Sequence, residues 1–355
     1  LNDRTPAPRR WLLPLLSLLV LVGAACGEDG VVDPPGANAR EVGVVLNSVD
    51  LSLSIFPVDS PQASRPPVGL GPDGSPVGFA RREGLVAVPM GIVPALVVVD
   101  VEAGVVVRTV ALPAGSGATG AAFLDDSTVL VANPGRNTVV PVDVGDGTTG
   151  AEIPVGRYPQ AIVVSGARVG VLNAELGPDF QPDGPGTVTV LDRESLEVVG
   201  TVALGATNPG GAAPSGEGRI FVVGSGSFGG GDGSLSLVDL ERRAEIGHWE
   251  GFGEFPFGVA VGPGGRVYVA SFAYGLVVWD PGAASFVHSP SDPVTPEGIP
   301  SVSGLAFDSE GRLHTLRPEC AGPSVVHRLD PGLEVSATWP VGACPIALAF
   351  TRLGS

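Results

Sequence analysis

The chain has 355 residues, of which 53 are Gly, 35 are Pro, 16% are charged and 44% are hydrophobic. That balance is too apolar for a disordered chain and too rich in turn-forming residues for a helical one. A formal net charge of −17 argues against nucleic acid as a partner, because phosphate binding needs clustered cations. The acidity reads first as solubility of an exported domain, and only second as attraction for cations.

The chain begins with a basic and then apolar segment. Arg9 and Arg10 precede WLLPLLSLLVLVGAAC, residues 11–26. A basic start, a short apolar stretch and small residues before a cysteine describe an export signal over residues 1–25. The apolar stretch is short for a membrane span, which needs roughly 20 apolar residues. Val22-Gly23-Ala24-Ala25-Cys26 resembles a bacterial lipobox, with Gly23 where Leu is commonest. That resemblance implies cleavage before Cys26 and acylation of it. With Gly at position 27 rather than Asp, it also implies an outer-membrane destination in a diderm cell; the side faced stays open. Residues 26–40 then read as the acylated cysteine and a flexible tether, since they carry a Pro pair and no periodicity. With Cys26 taken by lipid, Cys320 and Cys344 remain as a pair for a disulfide in an oxidising compartment.

From residue 41 a phrase repeats. Seven apolar runs end at Asp59, Asp100, Asp143, Asp192, Asp239, Asp280 and Asp330, spaced by 41 to 50 residues. That period marks the blade of a β-propeller. Short apolar trios, from Gly78-Phe79-Ala80 to Leu348-Ala349-Phe350, supply innermost strands, here called A. Second strands (B) include residues 43–47, 129–133 and 169–173. Third strands (C) close on the seven Asp, and outer strands (D) include residues 105–112, 197–205 and 334–342. The first B and C strands have no A strand before them, and the last A strand has nothing after it. The chain therefore predicts an all-β, seven-bladed propeller over 41–351, its last blade built from residues 41–75 plus 346–351. Such a closure removes the open seam of the ring.

The best copies of the repeat, residues 155–192 and 112–143, have the form of a Val-Gly turn, a Pro, an apolar strand, a strand ending in Asn and a strand ending in Asp. This resembles the YVTN-type propeller family, and NHL-type propellers look much alike. The resemblance implies a fold and very little about activity, because propellers host many unrelated functions.

The residues that could carry chemistry are few. The seven Asp sit where side chains bond their own backbone in tight turns. Gly224 to Gly229 matches a dinucleotide pattern, but a further glycine loop and then a strand follow it rather than a helix. His248, His288, His314 and His327 lie on different strands without ligand spacing. In a propeller the B–C and D–A loops share one face, the top, and both Cys320 and Cys344 fall in such loops. Asn47, Asn133 and Asn173 also end B strands there. Two long neighbouring B–C loops, 173–186 and 224–234, bring Glu175, Asp179, Asp183 and Asp232 to one rim, with Phe180, Phe228, Phe255, Phe272 and Tyr274. Exposed aromatics on loops over a rigid scaffold suit recognition.

The leading expectation is a non-catalytic, membrane-tethered binding or scaffold lipoprotein, with a protein or glycan partner on the top face and no cofactor. The alternative is a metal-dependent lactonase resembling gluconolactonase-type propellers. It would hold Ca²⁺ or another divalent cation through Asn133, Asn173, Glu254 and Glu297, polarising a carbonyl and activating water. A structural assembly component without a discrete ligand is a third reading.

Overall fold

The computed structural model describes residues 40–354 except 62, 64 and 217; the expected signal (1–25) and all but the last residue of the expected tether (26–40) lie outside the described residues, and Arg40 begins a strand. Seven four-stranded antiparallel sheets account for all of its strands. In chain order their inner strands are Ala80–Arg82, Ala121–Phe123, Pro159–Ser165, Pro209–Pro214, Pro256–Val261, Gly304–Phe307 and Pro345–Leu353. These define blades 1 to 7. The chain is a seven-bladed β-propeller.

Blade 7 is the closure. Pro345–Leu353 pairs with Arg40–Asn47, which pairs with Ser52–Pro57 and then Val68–Gly69. The two ends of the chain thus meet in one sheet, with Arg40 opposite Leu353 and Val44 opposite Ala349. Side-chain bonds fix this blade to blade 6. Glu41 accepts from the Ser309 N–H (3.0 Å) and hydroxyl (2.8 Å), and Trp339 Nε1 donates to the Pro57 carbonyl.

The apolar runs read as they do because both faces of each blade are covered. Successive residues Val44, Val45 and Leu46 are all fully buried, Val44 and Leu46 toward blade 1 and Val45 toward blade 6. The same holds between blades 3 and 4, where Val188, Val190 and Val202 meet Ile220, Val222 and Val238. A strand buried on both faces loses the polar–apolar alternation and becomes a continuous apolar run. Burying each such side chain stabilises by about 1.5–3 kcal/mol. Repeated blade by blade, that burial closes the ring.

The C–D turns bear out the Asp reading six times. Asp100 accepts from the Ala103 N–H, Asp280 from Gly282 and Ala283, and Asp330 from Gly332 and Glu334. Asp143, Asp192 and Asp239 make equivalent bonds. Asp59 is a correction. Val58 N–H bonds the Glu41 carbonyl as Val101 N–H bonds that of Gly84, so Pro57 occupies the position of Asp100. Asp59 lies two residues farther on and pairs with Arg312 at 3.0 Å. The first inner strand is shifted likewise: it covers Ala80–Arg82, starting at the last residue of the expected trio.

Candidate recognition face

Inner strands run from the face bearing the B–C and D–A loops to the face bearing the A–B and C–D turns. We call these the top and the bottom. Arg40 and Leu353 stand at the bottom end of blade 7.

Four blades are entered from the top through the same corner. Tyr158-Pro159, Asn208-Pro209, Phe255-Pro256 and Cys344-Pro345 each place a left-handed residue (φ +47° to +57°) before a proline that starts an inner strand. Non-glycine residues rarely adopt that conformation, and it persists only where surroundings hold it. The B–C loops hold it here: the carbonyls of Tyr158, Asn208 and Cys344 accept from the N–H of Ala174, Ser225 and Ser48. Two of the four corners carry aromatic side chains. Tyr158 packs edge-on against Phe180 (5.9 Å), and Phe255 packs against Phe228 (5.7 Å). Phe180 and Phe228 are themselves 58% and 49% exposed.

The long loops are built from internal bonds. Arg157 pairs with Asp183 (2.8 Å), donates to the Glu175 carbonyl, and lies 3.7 Å from the Glu175 carboxylate, which also accepts from Thr187. Glu175 and Asp183 are thus brought together, bridged by a cation that the rim reading lacked. Asp179 caps the Gln181 N–H, and Asp232 closes its own loop by accepting from the Ser227 N–H and hydroxyl.

Asn133 and Asn173 are not presented on the face. Both are fully buried, as is Asn47. Asn173 Nδ2 donates to the hydroxyls of Thr187 and Thr189, and Asn47 Nδ2 to those of Ser52 and Ser54. The side chains of Asn173 and Asn47 each pack against a glycine at or just after the outer strand of the preceding blade. A Cβ on Gly156 would come 2.6 Å from the Asn173 side chain, and one on Gly342 2.7 Å from that of Asn47. The Val-Gly turn and the terminal Asn of the repeat are therefore one device locking adjacent blades. Tyr274 is also structural: it is half-buried, and its hydroxyl donates to the Phe252 carbonyl. Desolvation raises its pKa.

The four donors nominated for a cation are set on separate elements. Asn133 and Asn173 end B strands of blades 2 and 3, while Glu254 and Glu297 are exposed in the connections into blades 5 and 6. Glu297 lies 3.8 Å from His327 Nε2. Burial pushes the His327 pKa down; Glu297 pulls it up and Arg317 adds to the fall. His314 is fully buried and bonds Asp308 at 3.0 Å, with Arg312 donating to the same carboxylate at 2.6 Å. His248 bonds the Ser236 hydroxyl, and His288 stands 4.0 Å from Asp292. No cluster of three or more His, Cys, Asp or Glu with metal-binding geometry occurs among the described residues. The disulfide Cys320–Cys344 joins the B–C loop of blade 6 to the corner entering blade 7.

Sequence reading missed the centre of the face. Where inner strands begin, a cavity of about 410 Å³ opens on the axis, lined from six blades by Val77, Phe79, Tyr158, Ile162, Phe257 and Ile346 among others. None of its lining residues is charged. Phe257 packs at a tilt against Phe272 (6.4 Å), which is 43% exposed, so an aromatic path leads from rim to axis. The only signal was the recurrent apolar residue near the start of inner strands, which by itself reads as core.

No family model matches the chain, and no curated protein matches it. Solved structures do. One is similar at a TM-score of 0.61 and 14% identity, covering 79% of this chain and 95% of its own; it is the hydrazine synthase of Kuenenia stuttgartiensis. A second, of U3-55K, gives a TM-score of 0.60 at 13% identity, covering 78% and 88%. At such identities the likeness shows the propeller fold alone.

Proposed function

We propose that this chain is a lipid-tethered, non-catalytic β-propeller of the cell envelope that binds a protein partner on its top face. One observation carries the reading: the exposed large hydrophobics are segregated. Among the described residues, Val49, Val77, Ile92, Phe180, Phe228 and Phe272 lie in top loops, the others lie on outer strands, and none lies in a bottom turn. Apolar surface gathered on one face of a folded domain marks an interaction site. The tether fits this polarity. A chain anchored at Cys26 would enter the propeller at Arg40, on the bottom and opposite the top face, so the tether does not cover the proposed binding face.

The test uses the full chain in membranes, with a photo-crosslinking residue at position 228 or, on the bottom, at position 194. A discrete adduct from 228 and none from 194 is expected; equal labelling from both would overturn the reading. Cys26→Ser should move the protein from the membrane to the soluble fraction, and retention there would reject the lipid anchor.

A further inference from the structure

We propose that the partner of the top face presents one bulky apolar side chain to the axial funnel, flanked by basic residues. This rests on the top-face reading above and adds the chemistry of what binds.

The funnel selects an apolar group. Its walls are Val77, Phe79, Ile162, Phe257 and Ile346, and its polar side chains are largely committed. Gln160 donates to the Asn208 carboxamide oxygen at 2.7 Å, and the Thr119 hydroxyl donates to the carbonyls of Pro159 and Gln160. The Tyr158 hydroxyl is left as a polar handle. A sugar or an anion entering here would leave most of its own hydrogen-bonding groups unpaired, at a cost that an apolar side chain avoids. The volume is at the small end of ligand pockets, ~300–1,000 Å³, which suits one or two side chains rather than a large ligand.

The rim selects the flanking charge. Of the three arginines in top loops, Arg136 is consumed by Glu152 and Arg157 by Asp183 and Glu175, while Arg317 has no ion pair among the described residues. Among the described residues, Asp73, Asp179, Asp232 and Glu254 likewise have no cationic partner, and they stand in top loops of several different blades, so unpaired carboxylates outnumber the one unpaired arginine. A buried apolar anchor gives most of the affinity in such an arrangement. The surrounding carboxylates set partner choice and on-rate, and lose force with salt. An acidic or neutral segment gains nothing from this rim.

The experiment is fluorescence anisotropy with the purified full chain and three labelled synthetic peptides. One has a central Trp flanked by Arg, one the same Trp flanked by Glu, and one a central Ala flanked by Arg. The Arg–Trp peptide should bind, and each of the other two should bind at least tenfold more weakly. Val77→Ser, which removes funnel surface without changing charge, should weaken the Arg–Trp peptide about fivefold. Glu254→Gln should reduce the salt dependence instead. Equal binding of the Glu-flanked or Ala-centred peptide overturns the proposal, as does indifference to Val77→Ser in a chain that melts like the parent. A partner that crosslinks at position 228, with no binding of the Arg–Trp peptide, rejects this chemistry and leaves the top-face reading standing. Absence of both rejects the two together.

Discussion

The top and bottom of the propeller solve the same problem, turning a strand through a tight corner, by opposite means. The bottom uses short turns whose polar groups are satisfied locally by carboxylates. Asp125 accepts from the N–H groups of Ser127 and Thr128, and Asp308 from those of Glu310 and Arg312. The top uses longer loops held by left-handed corners, a disulfide and the Arg157 bridge, and leaves Phe180, Phe228 and Phe272 in solvent. The bottom also has cavities, one of about 570 Å³ lined by Glu41, Arg81, Glu83 and Arg352, but they are charged, and none of the exposed large hydrophobics lies in a bottom turn. The top, stabilised from beneath, keeps apolar surface free. The difference teaches that the bottom is built for stability while the top keeps the exposed apolar surface on which the proposed recognition rests, and this division can be tested.

The largest expected effect is at the bottom. Asp308 is completely buried and serves both Arg312 and His314. Burial pushes its carboxyl pKa up, but bonds from Arg312 and His314 more than offset this and hold it below the usual value. Asp308→Ala leaves the buried His314 without its partner, frees the Glu310 and Arg312 N–H groups and takes one of three carboxylates from Arg312, and should cost about 3–5 kcal/mol in urea unfolding. Asp308→Asn, which keeps the shape and part of the bonding, should cost less. A loss no larger than that of an ordinary surface substitution would remove the bottom's claim to carry stability.

A pH scan gives the next effect. Burial lowers the His314 pKa to about 4 from 6.5, against the pull of the Asp308 carboxylate in the other direction. A histidine depressed in the folded state stabilises nothing by being charged. Its contribution is complete above the unfolded value of 6.5 and is lost as pH falls toward 4. About 3 kcal/mol should disappear across that window, read as a falling urea midpoint. A flat midpoint between pH 7 and 4 would mean that His314 is not held neutral.

The smallest effect separates two aspartates that the repeat treats alike. Asp280→Ala removes two backbone bonds and should cost about 1 kcal/mol. Asp59→Ala removes an exposed pairing with Arg312 and should change stability little, as exposed ion pairs do. Equal losses would restore Asp59 to the turn position from which the backbone register displaces it.

The Asp59 case also shows how sequence phase fails. Blade 7 is the only blade with Pro at the turn position and an Asp two residues later, so the spacing stayed within the repeat while the register moved. At the candidate site the pattern is similar. Phe180, Phe228 and Phe272 were legible because an aromatic in a Gly- and Pro-rich loop has no strand in which to hide. Asn133 and Asn173 were read as surface groups because they end strands, whereas each is buried in its own sheet, Asn173 against Gly156. Tyr274 was misplaced for the converse reason: its neighbours are loop residues, and its hydroxyl turns inward to a blade carbonyl.

What the sequence by itself determined is everything set by local period. The seven-fold repeat, the apolar runs of strands covered on both faces and the Asp turns all follow from residues within about one blade of one another, and the closing strand from counting those repeats along the chain. The funnel at the axis, the bridging of Glu175 and Asp183 by Arg157, and the burial of His314 against Asp308 were decided only by tertiary structure. Each needs side chains brought together by the closing of the ring or the folding of a sheet, and no spacing along the chain encodes which residues of six separate blades will meet on one axis.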